Sequence, residues 1–459
     1  MGFIISLLLL EITGIFFLSN IITRARYRYS LTELVSLSFF IGVFFISFQT
    51  LMLYFLGQDL RLPHVVAMPS LMLILVLSRY LSRPERMKDF SAAPVKPGYT
   101  YLEKALLLGI ILQLLWVIFL VLPTPVHSHD AVANYALKAK MLYAEGMVPA
   151  GFFSLSEATV SHSDYPPLLP FLMNWIYSFT GFNDLSVNMI MPVLYAMFLL
   201  LFYSLIRKLF SRTYSLMTVF LLATIPQLYD YAAIIHTDLI LTALVTCGSV
   251  YFFLYMRSGS RTQALLSSVL FGTALWVKNE AIVFVGAFLL VFFMYSVKRE
   301  LSGTNKRRYN DLIAVLTTIA LMAGPWFFVK SCQASVNSDM SIAEMTSNRI
   351  LANVKDIPVL LDLFQQEVFG PKKWNIFWIM AGAVFIWKRK DLWRENQLYV
   401  TLFILVSAAG YFVGYMMTTG NNLFFYVNTT ISRFMLHFTG ITLFAAAVLC
   451  GEEAEKMAN

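Results

Sequence analysis

Long apolar runs separated by short polar clusters make up most of the chain. Runs suited to crossing roughly 30 Å of hydrocarbon occur at about 1–20, 33–56, 63–80, 105–122, 184–207, 213–229, 236–257, 262–277, 280–297, 310–330, 374–388, 398–417 and 432–450. They predict an all-α polytopic membrane protein of about 13 transmembrane helices. A further apolar run, Pro166 to Phe179, is short and begins on two prolines. It predicts a juxtamembrane helix in the first long outer loop, lying along or dipping into the interface. The first twenty residues carry Glu11, lack a basic start and contain no small-residue cleavage site, so they are expected to be an uncleaved membrane anchor.

Composition agrees with this pattern. The 459 residues are 58% hydrophobic and 13% charged, with a mean hydropathy of +0.69, beyond the range of a soluble domain. The 40 Phe and 23 Tyr are assigned to lipid-facing bulk and interfacial belts. A net charge of +8 raises nucleic acid as a partner, but the Lys and Arg residues lie at the ends of apolar runs rather than along one basic face. Nucleic acid is set aside, and the bilayer is the expected surroundings. Cys247, Cys332 and Cys450 are too scattered for a disulfide framework.

Charge placement gives an orientation. The clusters Arg24 to Arg28, Arg79 to Lys104, Arg207 to Arg212, Arg257 to Arg261, Lys298 to Arg308, Lys388 to Arg394 and Lys456 hold 24 of the 34 basic residues, and alternation of the spans puts all of them on one side. The positive-inside rule makes that side cytoplasmic, with the amino terminus outside and the carboxyl terminus inside. The expected organisation is residues 1–104 as three leading helices and a cytoplasmic linker, 105–330 as a catalytic membrane module, 331–373 as an outer loop, and 374–459 as three helices with a short tail. The linker, 82–104, is marked by Pro84, Pro94, Pro97 and Gly98.

Ionisable residues concentrate in the outer loop 123–183. His127-Ser128-His129-Asp130 precedes a segment, Ala131 to Glu145, that reads as a short helix carrying Tyr135, Lys138 and Lys140. Asp130 can serve as a general base toward a hydroxyl substrate or simply cap that helix. Later in the loop come His162, Asp164 and Tyr165. His129, Asp130, His162 and Asp164, with His127 nearby, are of types that ligate a divalent metal. Their loose spacing fits a solvated loop equally well, and no cofactor is required. Outside this loop, Asp238 begins a helix after His236, and Lys278-Asn279-Glu280 lies between two others. Charges at helix ends can be explained by snorkelling. Arg433 is harder to explain that way, because it sits on the side the positive-inside rule disfavours. It suits a phosphate contact or a buried pair.

Taken in order, these features resemble the GT-C membrane glycosyltransferases, near the protein O-mannosyltransferases and the lipid A aminoarabinose transferases. The residues carrying the resemblance are Asp130 after a helix, Tyr135 in a D-x4-Y with Gly146 downstream, and Tyr165-Pro166-Pro167-Leu168 opening a helix that ends at Gly181. Asp238 at a helix start and the run GTALWVKNE from Gly272 to Glu280 follow. The resemblance covers about 105–330 well and the last three helices by architecture. Residues 1–100 are not covered, and His129 stands where many relatives carry a second acid.

The resemblance implies transfer of a sugar from a polyprenyl-phosphate carrier to an acceptor hydroxyl of a glycan, lipid or protein, with inversion. The reaction would take place on the periplasmic or exterior face of a bacterial inner membrane. It implies Asp130 as general base and Lys278 and Arg433 as cations for the donor phosphate. His129, Tyr135, His162, Asp164, Tyr165, His236, Asp238, Asn279 and Glu280 would be cavity residues. The alternative classes are a transporter or flippase of lipid-linked sugars, which should carry its polar groups near mid-membrane, and a subunit that only binds lipid.

Overall fold

The computed structural model describes residues 1–22, 29–82, 98–155, 160, 162–301, 308–332, 350–351, 353–417 and 423–458, and no strand occurs among them. Arg24 to Arg28, the linker core 83–97, Ser161 and the loop portion 333–349 lie outside the described residues. The helices are α1 Gly2–Ile22, α2 Leu31–Phe55, α3 Leu62–Ser82 and α4 Tyr101–Val121, followed by a π-helical turn Ala131–Ala136 and α5 Leu137–Glu145. Next come α6 Leu168–Thr180, α7 Asp184–Asn188, α8 Ile190–Ile206, α9 Arg212–Ala223, α10 Pro226–Tyr231, α11 Thr237–Ser258, α12 Arg261–Ala274, α13 Ala281–Leu301 and α14 Arg308–Ser331. The last are α15 Ile357–Val368, α16 Pro371–Trp374, α17 Phe377–Trp387, α18 Glu395–Met416 and α19 Leu423–Ala458.

The protein is all-helical, but the thirteen expected spans are unequal. Among the described residues, 9 helices are long and apolar enough to cross a membrane: α1, α2, α4, α7 with α8, α11, α13, α14, α18 and α19. The other expected spans are shorter. Helices α9, α12 and α17 have 12, 14 and 11 residues, covering about 16–21 Å at 1.5 Å per residue. The apolar part of α3 is Leu62–Ser78. The run 213–229 breaks after Ala223 and restarts at Pro226, which lacks an amide hydrogen and suits the first turn of a new helix. The run 262–277 stops at Ala274, where Trp276 and Val277 tighten into bonds to the carbonyls of Thr273 and Ala274.

The expected Ala131–Glu145 helix is present as the π-helical turn continuing into α5. It ends at Gly146, whose φ of +63° is the left-handed conformation that glycine adopts without a Cβ penalty. The Pro166–Phe179 run is helical as α6, and its side chains from Leu168 to Tyr177 are buried against neighbouring elements that include α1, α2 and α5.

The chain forms two compact units. The first comprises Met1–Phe220, Tyr231–Thr237 and Pro325–Ala334, so α1 to α3 share it with the elements of residues 123–183. Its tightest helix pair is α1 with α2. A Cβ at Gly14 would collide with the Ser38 carbonyl, and one at Gly42 with the Leu10 carbonyl, so only glycine permits this approach at either position. The Thr100–Glu103 capping box starts α4. Glu103 also receives two bonds from Arg212, and buried Glu33 pairs with Lys208 at 2.7 Å. Two cations from the basic Arg207–Arg212 cluster therefore hold helices together.

The second unit comprises Leu221–Asp230, Asp238–Gly324 and Ser335–Asn459. Here α11 is buried along its whole apolar window, and α13, α18 and α19 pack together through aromatic side chains. Phe271 stacks on Phe288 with centroids 4.3 Å apart, and Phe284 meets Tyr411 edge-on at 5.4 Å.

Candidate functional site

Asp130 lies in the first unit at the entry to the π-helical turn, already with helical φ and ψ, and its side chain makes no capping bond. The cap reading is thereby set aside. Its carboxylate instead faces His236, with Nε2 3.2 Å from Oδ2, while His129 Nδ1 stands 3.7 Å from Oδ1. The Asp130 side chain is 41% exposed and that of His236 only 4%, so a buried imidazole holds an accessible carboxylate. His236 is itself fixed edge-on between the rings of Tyr135 and Tyr231, at 5.8 and 5.3 Å. Tyr135 is buried, and its hydroxyl shares a 2.9 Å hydrogen bond with Thr237. Short π-helical segments often occur at functional sites, and this one places Asp130 and Tyr135 on the same imidazole.

A second group in this unit surrounds Lys138. Its Nζ donates to the His162 carbonyl at 2.6 Å. His162 adopts φ +56°, a left-handed conformation that carries a steric penalty for a residue with a Cβ. Its ring stacks on Tyr165 at 4.6 Å, and Asp164 lies 4.0 Å from Lys330. Burial pushes the Lys138 ammonium down from 10.5 to about 7, with Asp164 acting in the opposite direction. Between those two values the unfolded chain holds a proton that the folded protein has released, so stability should rise with pH across this window. Thermal unfolding at a series of pH values should record that rise, and Lys138→Met should flatten it. A wild-type profile as flat as the variant's would exclude a shifted lysine.

In the second unit Asp238 occupies the first turn of α11 and is fully buried. Its Oδ1 accepts from Lys278 Nζ at 2.9 Å and lies 2.8 Å from His437 Nε2, while Arg433 Nε is 3.6 Å from Oδ2. Lys278 sits in the break between α12 and α13, also contacts Glu280 at 3.2 Å, and has no exposed side-chain surface. Arg433 keeps 18% of its side chain exposed. On α18, the Tyr411 hydroxyl lies 2.8 Å from His437 Nδ1.

The sequence reading missed His437, Tyr411 and Lys330. His437 had one usable signal, its four-residue spacing from Arg433, which places both on one helix face. Tyr411 and Lys330 had none, because each matters only through a partner distant in sequence. Among the described residues, no group of three or more His, Cys, Asp or Glu side chains is placed to hold a metal. Asp130 is engaged with His236 and His129, whereas the His162 carbonyl and the Asp164 carboxylate face Lys138 and Lys330.

An all-helical integral membrane protein with buried, partnered charges at helix breaks is the class these observations define. Residues 164–328 match the family model described as dolichyl-phosphate-mannose-protein mannosyltransferase, and this match supports a membrane glycosyltransferase of the GT-C type. It bears out the resemblance read from the sequence. His236, Asp238, Lys278, Asn279 and Glu280 fall within the matched segment, while Asp130, Tyr411, Arg433 and His437 fall outside it. No curated protein and no solved structure matches the chain.

Proposed function

We propose that this protein transfers a sugar from a polyprenyl-phosphate carrier to an acceptor hydroxyl on the outer face of a membrane, with inversion at the anomeric carbon. The observation that carries the reading is the accessible Asp130 carboxylate held by buried His236. With Asp130 ionised, His236 Nε2–H donates to one oxygen, and the carboxylate takes the acceptor's proton as the acceptor oxygen attacks. The anomeric carbon gains that bond and loses its bond to the phosphate oxygen. The departing lipid phosphate carries the added negative charge.

Arg433 would meet that charge, since a preorganised cation in a water-poor site stabilises the transition state more than it could in water. Lys278 would act behind it, pairing with Asp238 and Glu280. Substrate contacts are assigned to His129, Tyr135, His162, Asp164, Tyr165 and Asn279. The amino terminus would lie outside and the carboxyl terminus in the cytoplasm, in a bacterial inner membrane.

The test uses purified protein, a radiolabelled polyprenyl-phosphate sugar and cell-surface glycan extract. Release of lipid phosphate with label appearing on acceptor is expected. A flippase is the second reading, favoured by the buried Asp238, Lys278 and His437 at a break between helices, a feature of transporters. Movement of intact donor across vesicles without bond cleavage would favour it over transfer.

A further inference from the structure

Tyr411 and His437 belong to no motif read from the sequence, yet they stand directly behind the charges of the second unit. The hydrogen count around them gives one consistent direction of donation. An ionised Asp238 can only accept, so the 2.8 Å contact to its Oδ1 requires a hydrogen on His437 Nε2. In a neutral imidazole, Nδ1 is then the acceptor, and the Tyr411 hydroxyl at 2.8 Å is its donor. Neutrality also suits the formal charges, because Asp238 and Glu280 already balance Lys278 and Arg433. A protonated imidazole would add a third cation to a site in which Asp238, Lys278 and His437 are fully buried.

The surroundings fix this arrangement. Phe434 lies 4.4 Å from the Tyr411 ring, and Phe284 lies 6.1 Å from the His437 ring. Such apolar walls make each hydrogen bond stronger than it would be in water. Arg433 and His437 lie one turn apart on the same face of α19, and both meet Asp238, one at each carboxylate oxygen. Moving the imidazole would therefore move the carboxylate that orients the guanidinium.

We infer that Tyr411 and His437 are positioning residues that orient Asp238 and, through it, Arg433 for the phosphate of the lipid donor. This rests on the reading that Arg433 meets that phosphate. The probe is geranylgeranyl phosphate, which carries the head group of the leaving lipid, with its Kd measured on detergent-purified full-length protein at matched folded fraction. His437→Ala is expected to raise Kd about tenfold, the effect of losing one hydrogen bond to a charged group. Tyr411→Phe should raise it several-fold, and His437→Gln, which can again donate to Asp238, should recover most of the loss. A purely structural role would lower Tm without changing Kd in the folded fraction.

Arg433→Ala separates this inference from the reading beneath it. If Arg433→Ala weakens binding while His437→Ala and Tyr411→Phe bind as wild type does, the positioning role is overturned and the donor-phosphate role stands. If Arg433→Ala also binds normally, both are overturned. Should His437→Ala fail to fold, Tyr411→Phe decides the matter, because it removes only a hydroxyl.

Discussion

Asp130→Asn is expected to lower kcat for sugar transfer by about 10²- to 10⁴-fold, the usual contribution of a positioned general base. Asparagine keeps the shape of the side chain and can still hydrogen-bond His236, but it cannot take the acceptor's proton. The loss should fall on kcat rather than on donor binding, and thermal unfolding should be unchanged, because Asp130 is half-exposed and caps no helix. Release of polyprenyl phosphate from labelled donor is the measurement. Normal turnover by the variant would remove Asp130 as the base, and a loss of activity matched by a loss of Tm would make it a structural residue.

Lys278→Ala should have the largest effect on stability. It would leave Asp238 and Glu280 without their shared cation, in a position where the lysine and Asp238 have no exposed side-chain surface. Removing one partner of such a buried pair costs about 3–5 kcal/mol. A marked drop in Tm of the detergent-purified protein is the expected readout. Lys278→Met combined with Asp238→Asn should recover much of it, since the double change removes charge of both signs. If Lys278→Ala unfolds no more readily than Lys355→Ala, at an exposed position, the network contributes little to the fold.

The class of protein was legible because bilayer thickness sets a minimum apolar length, and nine helices among the described residues meet it. The shorter runs were read less well. Apolar character alone did not locate the end of α12 at Ala274, or the interruption before Pro226 that divides 213–229 into α9 and α10. Hydropathy averages over such breaks, whereas backbone hydrogen bonding is decided residue by residue. The clustering of His129, Asp130, His162 and Asp164 in one loop was visible in the sequence, but it did not reveal that Asp130 faces His236 while the His162 carbonyl faces Lys138.

Lys278 illustrates the boundary between the two kinds of information. Its sequence position between apolar runs marked it as a charge needing an explanation, and snorkelling and phosphate binding both fitted. Its enclosure by Asp238 and Glu280 is a property of two chain segments folded together. The sequence by itself determined an all-helical membrane protein and its resemblance to GT-C glycosyltransferases, and it offered Asp130 and Arg433 as candidate site residues. Only the tertiary structure decided that Asp130 is held by His236 rather than by a helix cap, and that Asp238, Lys278 and His437 are buried together. The physical reason is distance along the chain: apolar length and helix caps are local, whereas compensation of a buried charge depends on partners that folding brings from far away.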